Sequence, residues 1–180
     1  ITSYGGMNRL PVITDVPLND ISDWKTYRND EGRFEIKYPA YLDNITEGEY
    51  GITFYASSKY ETETGNLDIR IITDEPSLEN YLKELDKDRI DASKAFEGAP
   101  VRILKKSNIK VGTCPAIQYE IAEPAATGYF IETYVGVTPN LIASLSVGPA
   151  VYINEPLRQL NNQILSTFQS SFRSSRDCGR

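Results

Sequence analysis

The chain predicts an α+β fold, an antiparallel β-sheet flanked by helices. Three observations carry the prediction. Short runs in which apolar and polar residues alternate recur along most of the sequence, and a period of two marks a half-buried strand. The turns between the later runs are short and rich in Gly, Pro and Asn. They suit antiparallel meanders and leave no room for the crossover of roughly a dozen residues that parallel strands need. Two further stretches, one central and one near the C-terminus, carry apolar residues at spacings of three and four, the mark of a helix with one buried face.

The clearest strand pair lies near the start. Phe34, Ile36 and Tyr38 alternate with Arg33, Glu35 and Lys37. Trp24, Thr26 and Arg28 alternate less cleanly with Lys25, Tyr27 and Asn29. Between the two runs, Asn29-Asp30-Glu31-Gly32 supplies turn chemistry, because Asn and Asp bond to nearby backbone and Gly tolerates positive φ. Pro39 has no amide to donate and holds Tyr38 extended, so pairing stops there.

Ahead of this hairpin, residues 1–23 have no clear period and are broken by Pro11, Pro17, Asn19 and Asp20. Within them Leu10, Val12, Ile13 and Val16 form an apolar segment. It reads either as a leader lying on its own domain or as an arm that adds a strand to a neighbouring subunit. After the hairpin, residues 43–46 read as a turn, and Asn44-Ile45-Thr46 matches the acceptor pattern for N-glycosylation. Residues 51–55 read as a strand, 60–66 as a polar loop, and Leu67, Ile69 and Ile71 as the core face of another strand. Ser77 is a good N-cap for a helix, with Glu79 in its first turn and Leu78, Tyr81, Leu82 and Leu85 along one stripe. Asp86, Lys87, Asp88, Arg89 and Asp91 then read as the helix leaving the core, before the break at Gly98 and Pro100.

Five strand runs follow, at 101–105, 107–111, 116–121, 129–135 and 141–147. Asn154-Glu155-Pro156 opens a last helix, with Pro tolerated in the first turn. Its stripe is Leu157, Leu160, Ile164, Phe168 and Phe172, read as the main helix against the sheet. The organisation is therefore an N-terminal arm (1–23), one domain (24–172) and a polar tail (173–180).

Trp24, Tyr27, Gly32-Arg33-Phe34 and Tyr38-Pro39 at the start, with Asn162-Gln163-Ile164-Leu165-Ser166-Thr167-Phe168 at the end, resemble the PsbP-like family. That family holds the extrinsic PsbP subunit of photosystem II and many secreted bacterial proteins of unknown role, and a nuclear Ran-binding factor shares its fold. The resemblance covers about residues 24–172. It implies an α/β/α sandwich on an antiparallel sheet, and a binding or assembly protein rather than a catalyst. Function does not travel with a fold. Metal binding in some relatives depends in part on histidine, and this chain has none.

Composition narrows the chemistry. With 180 residues, 40% apolar and 24% charged, the chain suits one ordinary domain with a full core. No apolar run reaches the roughly 20 residues that span a bilayer. A formal charge of −6 argues against a general nucleic-acid or anionic-membrane binder. Zero histidine removes the Ser-His-Asp triad, the Cys-His pair and His-based zinc sites. No phosphate loop or dinucleotide fingerprint occurs. Glu61, Glu63, Asn66 and Asp68, and separately Asp86, Asp88 and Asp91, are oxygen-rich runs, but neither matches a calcium loop, and both read as solvated charge. No cofactor is expected.

Cys114 and Cys178 allow one intramolecular bridge, closing about 64 residues and worth roughly 4 kcal/mol on the loop-entropy model. The alternative is two free thiols in a reducing cell. The start at Ile1 rather than Met reads as processing, with a removed signal peptide as the expectation. The expected function is a non-enzymatic, extracytoplasmic binding or assembly protein that works through protein contacts, at the arm and at exposed tyrosines. The alternatives are a subunit of an extracellular polymer whose arm docks on its neighbour, and a carboxylate-based hydrolase, which needs two buried carboxyl groups facing one cleft.

Overall fold

The computed structural model describes residues 20–49, 51–56, 66–73, 77–95, 101–123, 128–150 and 152–171. The arm residues Leu10, Val12, Ile13 and Val16, and Cys178 in the tail, lie outside the described residues. Described strands are β1 (Lys25–Asn29), β2 (Phe34–Tyr38), β3 (Asn44–Gly48), β4 (Gly51–Tyr55), β5 (Asn66–Thr73), β6 (Arg102–Val111), β7 (Cys114–Glu123), β8 (Gly128–Thr138), β9 (Leu141–Ala150) and β10 (Gln169–Ser170). The helices are α1 (Leu78–Ala95) and α2 (Glu155–Ser166).

Seven strands form one sheet in the order β3-β4-β5-β9-β8-β7-β6, and every neighbouring pair is antiparallel. The predicted hairpin forms, with Tyr27 opposite Ile36 and the positive φ of its turn at Arg33 (+48) rather than Gly32. It sits apart, in a three-stranded sheet β1-β2-β10. The helices lie on opposite faces of the large sheet, so the architecture is the α/β/α sandwich. No helix among the described residues is long and apolar enough to cross a membrane.

The two faces follow from alternation along each strand. One face turns Leu67 and Ile69, Ile131 and Val135, and Leu145 and Val147 towards α2, which packs Leu157, Leu160 and Ile164 against them. The same core takes in Phe34, Ile36 and Tyr38 from the small sheet. The opposite face turns Tyr119, Ile121, Tyr134 and Ile142 towards Leu82, Leu78, Tyr81 and Leu85 of α1.

Four local expectations are corrected. The last helix does not run on through Phe168; it stops at Ser166, and Phe172 lies outside the described residues. Thr167 explains the stop, since its hydroxyl donates to the Ile164 carbonyl at 2.7 Å and accepts the Lys37 amide at 2.8 Å. Phe168 then stacks on Phe34 with ring centroids 5.1 Å apart, and Gln169 and Ser170 pair with β2. Runs 101–105 and 107–111 are one strand, β6, with an irregular register between Ile103 and Lys105 that resembled a break. Residues 44–46 belong to edge strand β3 rather than a turn. Finally, α1 does not leave the core after Leu85, because Asp86 and Arg89 continue its inward stripe.

Ile164 is 1% exposed at the centre of the α2 contact. Ile164→Ala is expected to lower stability by about 2–5 kcal/mol. Denaturant titration checks it, and a loss below ~1 kcal/mol would mean that α2 does not carry the core.

Candidate binding face

The face under α1 holds most of the buried polar chemistry. Tyr119 is fully buried, and its hydroxyl donates to Asp86 Oδ2 at 3.3 Å. Lys106 Nζ, from the edge strand, donates to the same oxygen at 2.8 Å. The Tyr119 ring carries two cations near it, Arg89 Cζ at 5.1 Å and Lys106 Nζ at 5.0 Å from its centroid. One turn further along α1, Arg89 forms an ion pair with Glu132, which also accepts the Tyr134 hydroxyl at 2.7 Å. The side chains of this pair are 13% and 17% exposed, so partial burial strengthens it.

The protonation states follow. Burial raises the Tyr119 and Tyr134 hydroxyls above their ordinary range, so both stay protonated as donors. Burial is the largest single influence on Arg89 and works to lower it, but Glu132 together with Tyr134 and Tyr119 outweighs it and the guanidinium stays charged. The Lys106 ammonium is raised, chiefly by its hydrogen bond to Asp86. The two tyrosines, Lys106 and Arg89 are all shifted towards their protonated forms, which suits a positioning network better than proton transfer.

Two hollows flank this network. One, of about 670 Å³, lies between the first half of α1 and strands β6 and β7; Leu78, Leu82, Pro115 and Ile117 give it an apolar floor, and Asp86, Lys106 and Asn108 its rim. The other, of about 550 Å³, opens on the β5–β9–β8 side, floored by Asp68, Arg70, Ser144 and Ser146. Asp68 accepts the Thr53 hydroxyl at 2.5 Å.

Strand β6 borders the first hollow and forms one edge of the sheet, pairing only with β7 among the described residues. Its residues 102–106, 108 and 110 are exposed. The edge carries Arg102, Lys105, Lys106 and Lys110 with no acid, and Ile103 and Leu104 stand 42% and 48% exposed. In the sequence these residues read only as the two strand runs 101–105 and 107–111. The sign that could have marked the edge is four cations within ten residues of a chain with net charge −6.

Other predicted site residues are dispersed. Cys114 is buried at the start of β7. Tyr41 is buried and Tyr27 packs against Phe34 and Phe54, so neither belongs to an exposed tyrosine surface; Tyr55 and Tyr152 are exposed. Among the described residues no group of three or more His, Cys, Asp or Glu is placed to hold a metal ion. In the two acidic runs, Asp86 is turned inward to Lys106 while Asp88 and Asp91 are exposed, and Glu61 and Glu63 lie outside the described residues.

The two carboxylates best shielded by arginine lie on opposite faces. Glu132 faces α1. Glu120 faces the other way and binds Arg158 of α2 through two bonds, at 2.8 and 2.9 Å. Glu120 and Glu132 do not share a cleft, whereas Glu132 lines the second hollow together with Glu49, Asp68 and Glu123.

These features define an antiparallel α/β/α sandwich with a polar network under one helix and a basic edge that pairs on one side only among the described residues. The fold is PsbP-like. The solution structure of cyanobacterial PsbP (CyanoP) from Synechocystis sp. PCC 6803 superposes with a TM-score of 0.61 at 12% identity, covering 94% of this chain and 98% of that one. A crystal structure of a Bacteroides thetaiotaomicron VPI-5482 protein gives a TM-score of 0.51 at 18% identity, covering 84% of this chain and 50% of that one. No protein-family model matches the sequence, and no curated protein matches it.

The Glu120–Arg158 pair gives a pH prediction. The Arg158 hydrogen bonds hold the Glu120 carboxyl below its ordinary value of 4.5. A lowered folded-state pKa contributes stability that is present above the unfolded value and is lost as pH falls through the folded one. Glu120→Gln is therefore expected to flatten the loss of stability below about pH 4.5. Melting curves across that range check it, and an unchanged acid limb would remove the pair from the balance.

Proposed function

We propose that the protein is a non-enzymatic, extracytoplasmic binding or assembly protein that engages its partner by strand addition on β6. The observation that carries the reading is the open edge itself: a ten-residue strand, largely exposed, whose outer backbone groups have no partner strand among the described residues. Such an edge gives affinity through main-chain hydrogen bonds, and pockets beside it give specificity through alternate side chains. The hollow between α1 and β6–β7 supplies such a pocket on one side. The non-catalytic part of the reading is supported by the arginine-committed carboxylates and by tyrosines pushed away from proton exchange. The extracytoplasmic part rests on the expectation that Cys114 pairs with Cys178, which lies outside the described residues, since oxidising compartments favour such a bridge.

The edge has a defined parity. The turn Gly112-Thr113 joins β6 to β7, with Gly112 at φ +59 and Val111 opposite Cys114. A two-residue hairpin turn of this kind closes on a hydrogen-bonded pair. Counting back from Val111, the odd residues 109, 107 and 105 bond to β7, and Lys106, Asn108 and Lys110 point their N–H and C=O groups outward. Proline at Asn108 should remove an outward donor and leave the β7 ladder whole.

A photo-cross-linking residue replacing Lys105, in cells that make the protein, is expected to capture a protein partner. Asn108→Pro in the same chain is expected to abolish capture with little change in melting temperature. Capture that persists in a folded Asn108→Pro chain, or no capture at all, refutes the edge as the binding surface. Peptide mapping without reductant that finds both thiols free would refute the compartment.

A further inference from the structure

We propose that the occupant of the β6 edge is residues 10–16 of a second copy of this chain, added as an antiparallel strand. This rests on the reading of β6 as a docking edge and names its partner. Three independent features of the sequence meet the geometry of the edge.

The first is proline parity. Pro11 and Pro17 are both odd-numbered and have no N–H to give. In an extended segment, N–H groups of alternate residues point to opposite sides. If Leu10, Val12, Thr14 and Val16 turn their N–H groups to β6, both prolines face away, where a missing donor costs nothing. The opposite choice would leave a gap at Pro11 inside the ladder and place a second proline, Pro17, just beyond its end.

Charge sets the direction and register. The segment has one ionised side chain, Asp15, and no Lys or Arg. With Asp15 opposite Lys105, antiparallel pairing sets Ile13 opposite Ser107, Thr14 opposite Lys106, Val12 opposite Asn108 and Leu10 opposite Lys110. The even pairs then exchange backbone hydrogen bonds, as the outward groups of Lys106, Asn108 and Lys110 require. A parallel alignment with Ile13 beside Ile109 would bring Asp15 level with Val111, which is 2% exposed.

Burial is the third feature. Lys106 and Asn108 pair with Tyr119 and Ile117, so even positions of β6 lie on the α1 face. Leu10 and Val12 would enter on that face, at the mouth of the hollow floored by Pro115 and Ile117. Val16 would come level with the exposed Ile103 and Leu104 at the bulge.

The same edge rejects other strands. A second β6 would set lysine against lysine, and like charges directly opposite one another repel. The other edge of the sheet, β3, is five residues long and carries Glu47, which disfavours an arm bearing Asp15. Specificity is thus a difference between one acceptable strand and several repelled ones.

The experiment uses full-length chains. Thr14→Pro removes a donor facing β6, whereas Ile13→Pro removes one facing water. Native mass measurement is expected to find the parent and Ile13→Pro assembled and Thr14→Pro monomeric. Mixing an Ile13→Cys chain with a Ser107→Cys chain is expected to give a mixed disulfide at twice the chain mass, since a non-hydrogen-bonded cross-strand pair has the short Cα separation that a disulfide needs. Equal assembly of both proline variants, a monomeric parent, or a cross-link that forms only when both cysteines are in one chain overturns the proposal. If Thr14→Pro changes nothing while Asn108→Pro still abolishes capture at Lys105, the edge reading stands and its occupant is another protein.

Discussion

The dry contact between α2 and the sheet is the constraint on which the rest of the molecule depends. Leu157, Leu160 and Ile164 can be covered only if β5, β9 and β8 turn their apolar residues to one side. That requirement sets the register of three central strands together, because a slip by one residue would send every side chain to the wrong face. The contact also has a defined end. Thr167 closes the last turn of α2 and receives the Lys37 amide from the small sheet, so one hydroxyl joins helix, cap and hairpin. Phe168 on Phe34 then seals the seam between the two sheets.

The opposite face is built on another principle. Its apolar patch is small, and α1 is held there as much by Asp86 and Arg89 as by Leu82. Partly buried ion pairs seldom add much net stability against an apolar alternative, but breaking one leaves an uncompensated charge. Such pairs therefore penalise displacement of the helix more than they reward its presence. A helix fixed in this way can leave space at both flanks without sliding over to fill it, and both hollows open beside the network.

Much of this was legible in the chain, and the reasons differ by element. Phe34, Ile36 and Tyr38 announce a strand because half-burial writes itself as alternation. Leu78, Leu82 and Leu85 announce a helix face for the same reason at another period. Arg89 escapes that code. It occupies the next inward position of the stripe, yet a charged residue reads as solvent until its partner Glu132 is known, and that partner is 43 positions away. Lys105-Lys106 misled in a similar way, since a bulge inside one strand resembles a gap between two. Thr167 was unreadable because a helix stop that depends on Lys37 is a tertiary fact. The candidate site was less legible than the fold. Apolar arm residues stand out in a polar segment, but an open edge has no composition of its own. Whether a strand has one neighbour or two is decided by topology.

The edge and the polar network are coupled through Lys106. Its ammonium is drawn inward to Asp86 and lies over Tyr119, while its outward backbone groups belong to the free side of β6. A strand that pairs there meets a lysine whose charge is already answered on the α1 side. Lys105, on the other side of the pleat, stands across from Glu120, a carboxylate that Arg158 already holds through two bonds, and is the cation an incoming acid would meet there. Lys106 stays at the rim of the hollow with its ammonium held by Asp86, beside the apolar Pro115 and Ile117. Lys106 is thus shared by the two: its side chain belongs to the network under α1 and its backbone to the edge that an added strand would pair with.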